Sequence, residues 1–275
     1  MSIQTVLSKD GVRLALQRYG DGSPLVLVHG TGGSAARWAP VVNGLQSQFG
    51  IYALDRRGRG QSGDSSEYAI QREFEDVVSV IDSVGPAHVL GHSYGGICAL
   101  EAALQTPHVR KLILYEPPIP VEGMAIYPPG LIERLEQMIA AGERDKAATA
   151  FMQEVVRMPT RELETLRASP VWSGRVAAAH TLARELRAHE HYRFEPERFA
   201  RLNNPTLLLL GSDSPDFFKA AIEVLNTALP NSRLVVLPDQ RHNAMDVAPE
   251  LFVREVLAFL TEDSQSRPGQ FAPTN

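Results

Sequence analysis

The sequence predicts an α/β fold, a mostly parallel, doubly wound sheet with a block of helices inserted into it. Three observations predict it. Short apolar runs bounded by turn residues alternate with longer segments of helical spacing, as in strands covered on both faces by helices. A glycine-bracketed serine, Gly91-His92-Ser93-Tyr94-Gly95, stands where one such run passes into a helical segment. Between about Ile119 and Arg201 the strand-like runs stop and only helical patterns remain.

The elements follow in order. Ile3 to Leu7 and Val12 to Tyr19 flank Asp10-Gly11, a hairpin-turn dipeptide. Pro24-Leu25-Val26-Leu27-Val28 is a near-continuous apolar run and reads as a buried strand. It ends in His29-Gly30-Thr31-Gly32-Gly33, after which Ser34 is a candidate cap for a helix with Trp38, Val41, Val42, Leu45 and Phe49 on one face and Gly50 at its end. Ile51-Tyr52-Ala53-Leu54 is the next strand and runs into the glycine-rich loop from Asp55 to Gly63. A helix from about Glu67 to Val84 follows, then the strand Ala87-His88-Val89-Leu90, the serine turn, a helix to Leu104, and the strand Lys111 to Tyr115.

Residues 119–201 are expected to form a helical cap on a core domain made of residues 1–118 and 202–262. Leu131, Leu135, Met138 and Ile139 make one helical face; Phe151, Val155 and Met158 make another; a further helical stretch runs from Val171 to Ala188. Alternation resumes with the strand Thr206 to Leu210, a helix from Asp216 to Leu229, the strand Arg233 to Leu237, and a helix opened by Pro249. Loops at the carboxyl ends of parallel strands form the ligand crevice, so the inserted helices are expected to roof it. The polar tail, residues 263–275, is expected to be disordered.

Composition narrows the function. The chain has 275 residues, is 44% hydrophobic and carries a net charge of −5, with no extended basic patch to meet a phosphate backbone. Nucleic acid is therefore not an expected partner. The opening residues lack the pattern of a secretory signal, and no apolar run approaches the roughly 18 residues of a membrane span. A cytoplasmic protein without membrane insertion, a monomer or homodimer acting on a small molecule, is the expectation. Cys98 is the one cysteine, expected as a small buried hydrophobe and not a reactive thiol.

A serine held between glycines at a strand-to-helix corner is pushed out above the sheet, beside the first free amides of the helix. Serine is a weak nucleophile and needs a base. His242, in the loop after the last strand, lies late in the chain, as the order nucleophile, acid, histidine requires. The other histidines read as structural or solvated, His29 as the residue that orients its glycine turn. Acyl transfer also needs donors for a developing oxyanion. The amide of Tyr94 is one candidate; the turn after His29 offers the second, at Thr31 or alternatively Gly32.

Taken together, His29-Gly30 after a strand, the Asp55-Arg56-Arg57-Gly58-Arg59-Gly60-Gln61-Ser62 loop, Gly91 to Gly96 and the late His242 resemble the α/β-hydrolase superfamily over roughly residues 12–261. The resemblance implies about eight strands, a helical cap, and hydrolysis with no cofactor and no metal. It also implies that the Asp55 loop is architectural. In the superfamily the acid usually stands in the loop after the penultimate strand, but here that position holds Ser214, with Asp213 one residue early and Asp216 two late. Some members carry the acid after the strand that follows the serine helix, where Glu116 stands. Glu116 and Asp213 remain alternatives, with Asp216 behind them. Gly30, Trp38, Tyr127 and Trp172 are candidate substrate contacts, and Met124, Phe151 and Met152 further candidates for the pocket.

The leading functional expectation is a serine hydrolase that cleaves small carboxylic esters through an acyl-enzyme at Ser93. The same residues could serve carbon–carbon bond hydrolysis or cofactor-free perhydrolysis of the haloperoxidase type. From a different class, the fold could be a non-catalytic binder of small ligands.

Overall fold

A computed structural model describes residues 1–262 of the chain. The expectation for the tail lies outside the described residues. The hairpin β1 (Ser2–Leu7) and β2 (Arg13–Tyr19) leads to β3 (Ser23–Val28), α1 (Ala39–Leu45), β4 (Phe49–Asp55), α2 (Ile70–Val84), β5 (Ala87–His92), α3 (Tyr94–Ala103) and β6 (Val109–Tyr115). Then come α4 (Leu131–Ala140), α5 (Arg144–Glu154), α6 (Thr160–Ala168), α7 (Val171–Ala178), α8 (Leu182–Glu190) and α9 (Pro196–Phe199). The alternation resumes with β7 (Thr206–Gly211), α10 (Asp216–Ala228), β8 (Ser232–Leu237), α11 (Ala244–Val247) and α12 (Pro249–Thr261).

The strands form one eight-stranded sheet in the order β1-β2-β4-β3-β5-β6-β7-β8. β1 and β2 are antiparallel, β2 is antiparallel to β4, and the remaining pairings are parallel. Period-two alternation splits each inner strand between two cores. Val26, Val28 and Val89 face α2 and α3, whereas Leu25, Leu27 and Leu90 lie in the opposite core with α1 and α12. Leu27 is fully buried, and Leu27→Ala would cost about 2–5 kcal/mol. Helices α4 to α8 enclose a third apolar cluster of their own, built on Leu131, Leu135, Phe151 and Leu182.

One stretch departs from the sequence reading. The helix expected through Phe49 is a 3₁₀ turn (Ala35–Trp38) followed by α1, and Phe49 and Gly50 open β4. Pairing decides it, because Phe49 and Gly50 register against Ser23 and Pro24 of β3. Ser34 makes no capping bond; the Asp55 carboxylate accepts from the Ala35 amide instead, at 2.7 Å. The helix expected from Glu67 begins at Ile70.

This topology fixes the site. Chain direction out of the sheet reverses between β3 and β5, the two neighbouring strands at its centre. Val28 pairs with Gly91, so the turn after β3 and the serine turn after β5 leave the sheet side by side.

Candidate active site

The serine turn is built by close approach. Ser93 has φ 56° and ψ −130°, a strained conformation worth about 1–3 kcal/mol. Its amide donates to Tyr115 O at 2.9 Å, and its carbonyl accepts from Gly96 N at 2.7 Å. A Cβ on Gly95 would lie 2.3 Å from Val28 O, and one on Gly30 would lie 2.8 Å from the Ser93 Cβ. Both glycines are therefore demanded by the packing of the two turns.

The turn after β3 is held from beneath. His29 is fully buried; its Nδ1–H donates to Gly30 O at 2.8 Å, while Nε2 accepts from the Arg56 amide at 3.2 Å. Burial, helped by Arg56, drives its pKa far down, so it is a neutral brace. Asp55 accepts from Ala35 and Gln61 amides, which makes it architectural too.

The acid next to His242 is Glu116. Its Oε2 accepts from His242 Nδ1 at 2.7 Å, and its Oε1 accepts from the Gly211 amide at 2.7 Å and from Ser214 Oγ at 2.6 Å. Glu116 is fully buried and, like Ser93, has a positive φ, 46°. β6 makes this possible: His92 pairs with Tyr115, which puts the next residue beside the serine turn. Ser214, at the position where the superfamily usually carries its acid, is thus a donor to the carboxylate that came from β6. Asp213 is corrected: its side chain is exposed and among the described residues accepts only from Ser212 Oγ, at 2.9 Å. Asp216 is exposed as well, against Lys219.

The loop carrying His242 is pinned on several sides. Tyr115 Oη donates to Arg241 O and accepts from the Ala244 amide at 3.1 Å, and His92 Nε2–H donates to His242 O at 2.9 Å. The His242 ring stacks on Phe218, with centroids 4.3 Å apart and planes 14° apart. With Nδ1–H bound to Glu116, Nε2 is left bare. His92 is neutral because burial, and next His242, push its pKa well down; its Nδ1 has no partner.

Ser93 and His242 line two narrow cavities under the inserted helices. One, of ≈ 40 Å³, is bounded by Thr31, Tyr94, Tyr127, Phe151, His189 and Phe217, among others. In it His189 Nε2–H donates to Pro118 O at 2.5 Å and Nδ1 accepts from Tyr127 Oη, so its polar groups satisfy each other. The other, of ≈ 30 Å³, adds Gly30, Arg37, Met152 and Arg175. A wider cleft of ≈ 860 Å³, between residues 64–68 and α8, touches neither Ser93 nor His242.

Among the candidate contacts, Gly30, Tyr127, Phe151 and Met152 line these cavities. Trp38 does not: it is fully buried in the core cluster that also holds Leu27 and Phe252. Trp172 lies off the cavities too, with Nε1 donating to Asp145 at 2.7 Å. Met124 is 36% exposed. Arg175 was not singled out from sequence; its one signal is a charge in the otherwise uncharged helix Val-Trp-Ser-Gly-Arg-Val-Ala-Ala.

A seam of buried charge joins the core to the inserted helices. Arg56 bonds Glu73 at 2.8 Å and also Glu185 of α8, and Arg59 approaches Glu185 Oε2 at 2.8 Å, close enough to pair but without hydrogen-bond geometry. Burial opposes the charge on Arg56, but Glu185 and Glu73 outweigh it and raise its pKa.

The eight-stranded, mostly parallel sheet, with a strained serine turn at the carboxyl edge of its central strands, is that of an α/β hydrolase. Comparison with known proteins agrees. The profile of the Alpha/beta hydrolase family matches residues 25–255, and the chain belongs to that family and is a hydrolase. An alpha/beta hydrolase from Sphaerobacter thermophilus DSM 20745 shares 36% identity, with a TM-score of 0.83 over 94% of this chain and 100% of that one. A pimeloyl-acyl-carrier-protein methyl ester esterase of Aeromonas hydrophila is 27% identical over 90% of this chain and 99% of its own length. A candidate carbamate hydrolase of Azorhizobium caulinodans is 26% identical over 90% of this chain and 94% of its own. Among the described residues, no helix is long and apolar enough to cross a membrane.

Proposed function

We propose that the chain is a serine hydrolase of small carboxylic esters. The observation that carries this reading is the contact of Glu116 Oε2 with His242 Nδ1, while the other carboxylate oxygen is saturated by Gly211 and Ser214. A carboxylate so held orients the imidazole and stabilises its cation. His242 Nε2 takes the Ser93 hydroxyl proton as the oxygen bonds to the ester carbonyl carbon. The tetrahedral oxyanion is met by the Tyr94 amide, free of an intrahelical acceptor at the first position of α3, and by the Thr31 amide. Thr31 is preferred to Gly32 because it lines both cavities and Gly32 lines neither. The leaving alkoxide receives the proton back from His242. Water, deprotonated by His242, then cleaves the acyl-enzyme and restores Ser93.

The cavities are small, room for two or three waters on the usual scale. That favours short acyl groups and requires the roof to move for larger leaving groups. An ester panel of graded acyl length, run with fluorophosphonate labelling of Ser93, tests the reading. Turnover of short esters with labelling lost in Ser93→Ala supports it. An unlabelled Ser93 with no turnover refutes it. The candidate carbamate hydrolase among the relatives favours one further substrate class for the same residues. Turnover of a carbamate faster than its matched ester would reassign the bond.

A further inference from the structure

Arg175 projects from α7 into the ≈ 30 Å³ cavity that it shares with Gly30, Thr31, Ser93 and His242. The residue is only 8% exposed. Among the described residues its Nε has no hydrogen-bond partner, and its Nη1 meets only the Met152 sulfur, at 3.9 Å, a weak acceptor. The nearby carboxylate, Asp246, is already bonded to Arg37, which Asn243 Oδ1 also holds at 2.9 Å. Two guanidiniums and one carboxylate leave this corner of the site with an uncompensated positive charge. Burial, and next the charge of Arg37, lower the Arg175 pKa to about 10, so it stays protonated at neutral pH.

The facing groups do not supply the missing anion. His92 and His242 border the same cavity; His92 is kept neutral by burial, and the carboxylate behind His242 is saturated on its far side. Phe151, Met152 and Val156 add an apolar wall, and Thr31 and Asn243 add polar groups that carry no charge. An unpaired buried charge is strongly unfavourable, and an incoming carboxylate is the group a guanidinium fork pairs with best. The other cavity at Ser93 offers no such charge, because Tyr127 and His189 close on each other. Ser93 therefore sits between a neutral compartment and a cationic one.

We propose that Arg175 is the anion-binding residue of the site, and that the substrates carry a carboxylate a few bonds from the scissile carbonyl, as in half-esters of short dicarboxylic acids. The carboxylate pairs with Arg175 while the carbonyl carbon meets Ser93 Oγ, and the apolar spacer lies along Met152 and Val156. The proposal rests on the ester-hydrolase reading for the reacting bond, but not for the binding of the anion.

The experiment compares monoethyl succinate with ethyl butanoate, following proton release at constant pH. The intact protein should prefer the half-ester by about 100-fold in kcat/KM, the scale of a desolvated charged hydrogen-bond pair. Arg175→Met should collapse that ratio towards one, and Arg175→Lys should restore part of it. Equal rates on the two esters, or a preference that survives Arg175→Met, would overturn the proposal. A second arm needs no turnover: in Ser93→Ala, monoethyl succinate should raise the melting temperature, and the Ser93→Ala/Arg175→Met double variant should lose the shift. No shift in Ser93→Ala also overturns the proposal. An unlabelled Ser93 that turns over neither ester defeats the ester-hydrolase reading, and the binding arm then decides on Arg175 alone.

Discussion

Two regions of the molecule bury arginines in opposite ways. In the seam between the core and the inserted helices, Arg56 and Arg59 share Glu73 and Glu185, and Arg57 pairs with Asp76 and Asp10. All three guanidiniums are essentially inaccessible and each meets a carboxylate from the chain itself. In the cavity beside Ser93, Arg175 is nearly as buried and meets a thioether. The seam is closed electrostatically and serves architecture: through Arg56, whose Nη1 donates to His29 O at 3.1 Å, it links α8 to the turn after β3. The open charge at Arg175 has no such use. Burial alone therefore does not set Arg175 apart; burial without a carboxylate partner does.

Four perturbations break or sharpen this contrast. The largest effect is expected at the closed pair inside the site. Glu116→Gln should lower kcat by about 10³–10⁴, whereas Asp213→Asn should stay within a few-fold, both read by steady-state kinetics on one short ester. An equal loss in both variants would return the acid to the loop after β7.

Glu185→Gln comes next. It leaves Arg56 and Arg59 with Glu73 alone and should destabilise by about 3–5 kcal/mol, measured by urea unfolding. A change under ~1 kcal/mol would mean that the seam is slack and that α8 is not fastened through it.

A smaller effect follows from pH. Burial holds His189 at a pKa of about 4, against 6.5 for the free residue. A depressed histidine stays neutral in the fold while the unfolded chain takes up the proton. The stability it contributes is therefore full above pH 6.5 and is lost progressively as pH falls towards 4. Between pH 7 and 5 that loss is about 2 kcal/mol. His189→Gln should flatten the fall in melting temperature over this interval; an unchanged slope would assign it to other groups.

The smallest effect has the opposite sign to the seam's. Arg175→Met should stabilise the free protein by about 1–2 kcal/mol, because it removes a buried charge that pairs with no carboxylate among the described residues. Destabilisation of the size expected for Glu185→Gln would show that Arg175 belongs with the structural arginines.

Much of this was legible in the chain. The strands, the serine turn and the late histidine announce themselves through local chemistry: apolar runs between turn residues, glycines where a side chain would clash, and an order along the sequence. Short-range competition spoiled the stretch around Phe49, where helical spacing and strand pairing both fit and the partner strand decided. Trp38 and Trp172 show the limit of reading aromatic residues as pocket walls, since a large apolar side chain serves a core equally well.

What the sequence determined by itself was the sheet with its inserted helices, the serine at its corner, and the shortlist of Glu116 and Asp213 for the acid. The folded chain decided which carboxylate meets a histidine 126 positions away, and that Ser214 donates to it. It also decided which of the five buried arginines among the described residues lacks a carboxylate. The reason is physical. Turn formation and amphipathic spacing depend on neighbours along the chain, whereas hydrogen-bond partnership and the neutralisation of charge depend on distances set by strand order and helix packing.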